Sequence, residues 1–286
     1  IYYNILSQED KTVAVTYRGT SYSQYSNEYT GNVVIPETVI YNGNTYSVAS
    51  VSGSAFRDCT VLTSIEIPNS VTSIENFAFE GCIGLTSIEI PNSVTSIGTG
   101  AFEGCIGLTS IEIPNSVTNL LQHVFKDCSG LTSIEIPNSV VSIGYEAFYG
   151  CTSLTGVVIP NSVTSFSKNV FRDCTSLTNI FIAEGNTKYD SREGCNSVIE
   201  TVTNTLILGC KNSVIPNNVT SIGNDAFEYC SGLTSIEIPS SVTSIGNDAF
   251  YNCSGLTSIE VPNSVVSIGS YAFYGCTSLT GVVIPN

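Results

Sequence analysis

A 286-residue chain could hold two ordinary globular domains, yet only 12% of its residues are charged, and Ser, Thr, Asn and Gly carry most of its polarity. A net charge of −15, with no Lys or Arg between Arg57 and Lys126 and none after Lys211, excludes nucleic acid and anionic membrane as partners, because both need clustered basic groups. No apolar run approaches the ~18 residues of a membrane-spanning helix. The chain opens at Ile1 without a signal-like segment, which a processed N-terminus would explain.

Residues 1–29, rich in Tyr and Thr, read as an N-terminal β cap of two strands, Ile1–Leu6 and Thr12–Arg18. Residues 30–286 then repeat. The first copy runs from Thr30 to Val61, with Pro36 ahead of Val48, Val51, Ala55, Phe56 and Cys59. It is enlarged by a Y-N-G-N-T-Y hairpin signal at Tyr41–Tyr46. Leu62, Leu85, Leu108, Leu131, Leu154 and Leu177 follow at 23-residue intervals, and Leu233, Leu256 and Leu279 resume the same spacing.

The best-formed copy, Leu85–Gly107, reads LTSIEIPNSVTSIGTGAFEGCIG. With Leu as position 1, apolar residues fall at positions 4, 6, 10, 13, 17 and 18, and Cys at 21. The alternation through I-x-I is that of a short strand, which Pro at position 7 ends because it has no N–H for a ladder. S-V-T-S-I-G gives a turn and a second short extended piece, and A-F-x-x-C is long enough only for a turn or a short 3₁₀ stretch. One such coil buries too little to stand alone, so copies must stack, each contacting its neighbours.

The copy beginning at Leu177 lacks A-F-x-x-C, and phase returns only at Cys210, which takes the Leu position ahead of Ile215, Pro216, Val219, Ile222, Phe227 and Cys230. Residues 183–209 are therefore expected to be an insertion, with N-S-V-I-E and N-T-L-I-L forming a β-hairpin. The chain stops inside a copy at V-V-I-P-N, leaving a strand edge and apolar interior that further sequence or a partner would cover.

The recurring L-T-S-I-x-I-P-x-S-V-T-S-I-G-x-x-A-F-x-x-C resembles the BspA-type leucine-rich repeat of bacterial surface proteins. The resemblance spans most of the chain and implies a leucine-rich repeat solenoid. That fold is a right-handed stack of 23-residue coils with a parallel β-sheet on one face, irregular or 3₁₀ turns and a β-rich N-terminal cap. The segment Cys195–Cys210 also resembles an interruption recurrent in these proteins. The family resemblance implies export, display at the cell surface, and adhesion to a protein ligand such as host matrix or another bacterial surface protein. A structural spacer and a glycan-binding module remain alternatives, the latter weakened by the absence of Trp.

Nine of the eleven Cys occupy position 21, from Cys59 to Cys276, and so form a column. Neighbouring Cβ atoms one strand spacing apart, ~4.8 Å, exceed the ~3.8 Å that disulfides prefer, so these read as buried thiols bonded to turn backbone. Cys195 and Cys210 flank the predicted hairpin and could pair. No C-x-x-C or His pair suggests zinc.

Position 5 points outward. It carries Glu66, Glu89, Glu112 and Glu135, then Val158, Phe181 and Val214, then Glu237 and Glu260. The glutamates read as a solvated face or, alternatively, a track for a basic partner. The apolar break, flanked by Asn179 and by Glu135 and Glu237, reads as a partner-binding patch, or else as ground covered by the insertion. The sole His, His123, is expected to be exposed and inert, which leaves Ser-His-Asp and Cys-His chemistry without a base. No phosphate-cradling motif is present, and no cofactor or catalytic activity is implied.

Overall fold

The computed structural model describes residues 1–24 and 27–283, and the chain forms two compact units. The first holds residues 1–151 and 165–170, the second 152–164 and 171–286. Within each, the 23-residue spacing becomes a stack of coils joined by parallel ladders, as the repeat predicts.

The first unit begins with antiparallel strands Tyr2–Ser7 and Thr12–Thr16, the second of which runs parallel to Asn44–Val51. Thr38–Tyr41 folds back antiparallel on Asn44–Val51 through Asn42 and Gly43, whose φ values of 49° and 75° are those of a tight hairpin turn. Strands Gly31–Val34, Leu62–Glu66 and Ser87–Glu89 make one parallel ladder, and Glu112 bridges Glu135 in the same sense. The second extended piece makes another: Ser73–Ile74 pairs with Ser96–Ile97, and Asn119–Leu120, Ser142–Ile143 and Ser165–Phe166 pair in turn.

The A-F-x-x-C segment forms tight turns in which Ala78, Glu80 and Cys82 each donate to the carbonyl three residues back. The intervening amides are free to bond elsewhere, and they do. Phe77 N–H donates to Thr99 at 2.9 Å, Phe79 to Ala101 at 2.8 Å and Gly81 to Glu103 at 2.8 Å, all in the next coil. This third ladder alternates right- and left-handed backbone. Position 20 has positive φ throughout (Asp58, Gly81, Gly104, Asp127, Gly150), and so does position 16 (Ser54, Phe77, Gly100, His123, Glu146).

Between the ladders lie columns of like side chains. Phe56, Phe79, Phe102, Phe125 and Phe148 stack with centroids 5.1–5.6 Å apart and are fully buried, and Tyr29 closes the top at 4.6 Å from Phe56. The Tyr29 hydroxyl donates to the Thr16 carbonyl, tying the column to the N-terminal strands. The cysteine column behaves as expected: Cys82, Cys105 and Cys128 donate S–H to the carbonyls of Phe56, Phe79 and Phe102 at 3.0–3.1 Å. Burial pushes these thiols well above their ordinary pKa.

The second unit opens with Gly156–Ile159 parallel to Asn179–Ile182. Between Ala183 and Gly209 the chain leaves the repeat. Tyr189–Asp190, Val198–Glu200 and Thr205–Leu208 pair antiparallel in succession, and Thr205–Leu208 then runs parallel to Ser221–Ile222, Ser244–Ile245 and Ser267–Ile268. The insertion thus enters the second ladder, with Leu206 opposite Ile222. Gly209 N–H donates to the Ala226 carbonyl at 2.8 Å, the bond a repeat phenylalanine makes, and a Cβ on it would lie 2.1 Å from the buried Phe227 ring. Cys195 and Cys210 are free thiols, directed at the carbonyls of Ser197 and Asn196. Of the closing V-V-I-P-N segment, residues 284–286 lie outside the described residues.

Candidate functional site

The position-5 side chains point away from the core in both units. In the first, Glu66 and Glu89 are register partners, Glu112 and Glu135 bridge, and all four are exposed. Glu237 and Glu260 are exposed in the second. Each glutamate is fixed outward because the aliphatic residues on either side of it, such as Ile88 and Ile90 or Ile259 and Val261, are buried.

The apolar break is open to solvent. Val158 is 56% exposed and Phe181 44%, and the two are register partners on adjacent strands, with Gly156 opposite Asn179 beside them. The insertion does not fold over them, since it is occupied with the second ladder. Val214, 64% exposed, is not their neighbour in the way the repeat count suggests. Its amide donates to the Cys195 carbonyl at 2.9 Å, so the inserted chain, rather than Asn179–Ile182, is its backbone partner. The three side chains expected on consecutive rungs therefore resolve into a pair and a separate residue. Val34, opposite Glu66 and 54% exposed, is a further apolar position-5 residue, hidden in the sequence by the enlarged first copy.

His123 departs from expectation. It is half-buried, with Nε2 3.3 Å from Glu146 and Nδ1 3.9 Å from Glu103, and its ring tilts against Tyr145 at 5.8 Å. The reason is the backbone: position 16 is left-handed (φ 59° here) and bonded through its amide to Tyr145, which turns the side chain along the stack instead of into water.

A second outward column, at position 19 beside the buried phenylalanines, was not legible as a unit. Arg57 pairs with Glu80 at 2.8 Å and Lys126 with Glu103 at 2.9 Å in the first unit, and Arg172 with Glu228 at 3.5 Å in the second. Burial pushes the Glu80 carboxyl up and Arg57 pulls it back, whereas the Glu103 hydrogen bond raises Lys126. The signal was the placing of opposite charges one repeat apart, Arg57 with Glu80 and Glu103 with Lys126. Among the described residues no His, Cys, Asp and Glu converge as a metal site, and no helix is long and apolar enough to cross a membrane.

Comparison with known proteins follows the same architecture. The BspA type leucine rich repeat region matches in six copies, over residues 23–125, 49–178, 96–208 and 207–286. A leucine rich cell surface protein from Faecalibacterium prausnitzii is 26% identical, with a TM-score of 0.61 over 97% of this chain and 91% of its own. A leucine-rich repeat protein from Eubacterium ventriosum is 25% identical, with a TM-score of 0.68 over 83% of this chain and 66% of its own. The pneumococcal vaccine antigen PcpA, at 22% identity and a TM-score of 0.66 over 99% of this chain and 80% of its own, shares the fold. No curated protein matches the sequence.

Proposed function

Because this chain belongs to the BspA-type leucine-rich repeat family, we propose that it is a non-catalytic cell-surface protein that adheres to a protein partner. The supporting observation is the pair Val158 and Phe181: two large apolar side chains on adjacent strands, 56% and 44% exposed, at a repeat position where six other coils carry glutamate. Keeping such groups in water costs solubility and contributes nothing to the core, whereas covering the exposed 44% of Phe181 on binding would gain on the order of 1 kcal/mol. Asn179 beside the pair and Glu237 further along the unit supply the polar margin that fixes orientation, and Val214 adds a separate exposed apolar group. The exposed Glu112 and Glu135 of the first unit form an acidic face whose like charges discourage sheet-to-sheet association. Surface location is supported by the cell-surface relative that matches nearly the whole chain.

Binding of the chain to immobilised host matrix proteins and to bacterial surface extracts, compared with Phe181→Glu and Val158→Lys, tests the reading. Loss of a ligand in both variants, with unchanged melting, is the expected result. Persistent binding would remove the patch, and failure of the unaltered chain to bind any probe would favour a structural spacer.

A further inference from the structure

In the second ladder, position 14 of a coil donates its amide to position 13 of the coil before. In the first unit Glu75 donates to the Val51 carbonyl at 2.9 Å, Gly98 to Ile74 at 2.8 Å and Gly144 to Leu120 at 2.8 Å. Position 11 adds a companion bond, from Thr72 to Ala49 and Thr95 to Thr72 at 2.9 Å, and from Val141 to Thr118 at 2.8 Å.

Between coils Leu85–Gly107 and Leu108–Gly130 both series stop. Among the described residues, the Leu121 amide makes no bond to Ile97 and the Thr118 amide none to Thr95. Strand Ser96–Ile97 ends one sheet, and Asn119–Leu120 begins another. The first ladder lapses at the same place: Thr86 donates to Thr63 and Thr132 to Thr109, but Thr109 makes no such bond to Thr86. What still joins the two coils lies elsewhere. Gly100, Phe102 and Gly104 donate to Gln122, Val124 and Lys126 at 2.7–3.0 Å, the Ser116 hydroxyl donates to the Val94 carbonyl, and Phe102 stacks on Phe125 at 5.6 Å. On the turn side the coils are tight, since a Cβ on Gly130 would lie 2.3 Å from the Ile106 carbonyl, against 2.6 Å for Gly107 and Ile83.

The open side coincides with Asn119-Leu120-Leu121, which replaces the S-I-G of Ser96–Gly98. Glycine at position 14 lets coils approach: a Cβ on Gly98 would lie 2.5 Å from the Asn76 amide nitrogen, and one on Gly144 2.7 Å from that of Gln122. Glu75 and Ser167 keep their bonds at 2.9 Å despite a Cβ there, so the branched apolar side chain sets Leu121 apart. It is 40% exposed and, with Ile97 and Gly98, lines a cleft of about 340 Å³, while Leu120 stays buried.

We propose that this junction is a joint built into the first unit, the place where its stack opens first. The turn ladder serves as the hinge and the Leu121 side parts and closes. Opening elsewhere must break all the ladders together, whereas here the turn ladder stands without the other two. The stack thus has one place to yield under load, with the phenylalanine column keeping the coils in order.

Amide hydrogen exchange of the full chain, resolved by NMR, tests the joint. The Phe102 amide, bonded across the junction, should exchange at least about tenfold faster than those of Phe79 and Phe125, which make the same bond at the junctions on either side. Leu121→Gly should remove that difference and slow exchange at Thr118 by about tenfold or more. Should Leu121→Gly lower the melting temperature, Leu121→Ser, the residue tolerated at position 167, is read in its place. Equal exchange at Phe79, Phe102 and Phe125 in the unaltered chain would show a static gap and overturn the joint. A difference that survives both substitutions would equally overturn the assignment to Leu121.

Discussion

The coils between Leu62 and Cys151 in the first unit and the stretch from Asn179 to Ile215 in the second solve one packing problem in two ways. In the regular coils every interior column repeats, every position-5 residue is glutamate, and the turn ladder is unbroken. Across the insertion the turn is replaced by antiparallel strands, a glycine stands where phenylalanine would, and the outward residues become Phe181 and Val214. Yet the last inserted strand joins the second ladder of the coils that follow it in full register, Leu206 to Ile222 to Ile245. The difference teaches that ladder bonds and interior volume are what each coil must supply, and that the means of supplying them, like the outer face, are free to change.

Alkaline pH should strike the regular coils hardest. Burial holds Cys82, Cys105 and Cys128 far above the ordinary thiol value of 9.0, so the folded state keeps these protons while the unfolded state releases them. Their stabilisation is therefore complete below about pH 9 and falls above it, by ~1.4 kcal/mol per thiol for each further pH unit. Urea midpoints measured from pH 8 to about 10 should drop steeply, and Cys128→Ala should flatten the slope. A flat profile would mean that the thiols are not sealed from water.

Phe102→Ala, in the middle of the phenylalanine column, should cost about 3–5 kcal/mol in urea unfolding, because neighbours locked into ladders cannot collapse into the cavity. Gly209→Ala is the counterpart in the insertion. It adds a methyl 2.1 Å from Phe227 and should cost about 1–3 kcal/mol, whereas an alanine that proved neutral would show the insertion to be looser than the coils. Phe181→Glu, on the exposed face, should move stability by only about 0.5 kcal/mol while removing partner binding.

Much of this was legible because the repeat supplies nine readings of each position. Burial at the Leu, Ile, Val, Phe and Cys positions follows from their apolar recurrence, and left-handed backbone at position 20 from Asp58, Gly81, Gly104 and Asp127. Position 16 gave only a mixed sign, with Gly100, Asp225 and Asp248 standing among bulkier residues. Phe77, His123 and Glu146 are poor left-handed residues, held in that conformation with their amides bonded to the next coil, and His123 was misjudged for that reason. At the candidate patch, the Val158–Phe181 pairing was readable from spacing, but the separation of Val214 was not, since it depends on where the inserted Cys195 carbonyl comes to rest. The position-19 pairs escaped notice because each of their charges, taken alone, looks like an ordinary surface residue.

The turn ladder carries one last consequence. Position 16 of any coil donates to position 15 of its successor, 18 to 17 and 20 to 19, whichever residues fill those places: Phe77, Phe79 and Gly81 do so in the first unit, and Asp225, Phe227 and Tyr229 in the second. Coils are therefore interchangeable parts with a fixed plug on one side and a matching socket on the other. Excising Leu85–Gly107 would bring Phe79 to the Val124 carbonyl in place of Ala101 and leave the plug seated. A gene built this way can lengthen or shorten its product by recombination, one whole turn at a time, while the residues that meet other molecules diverge.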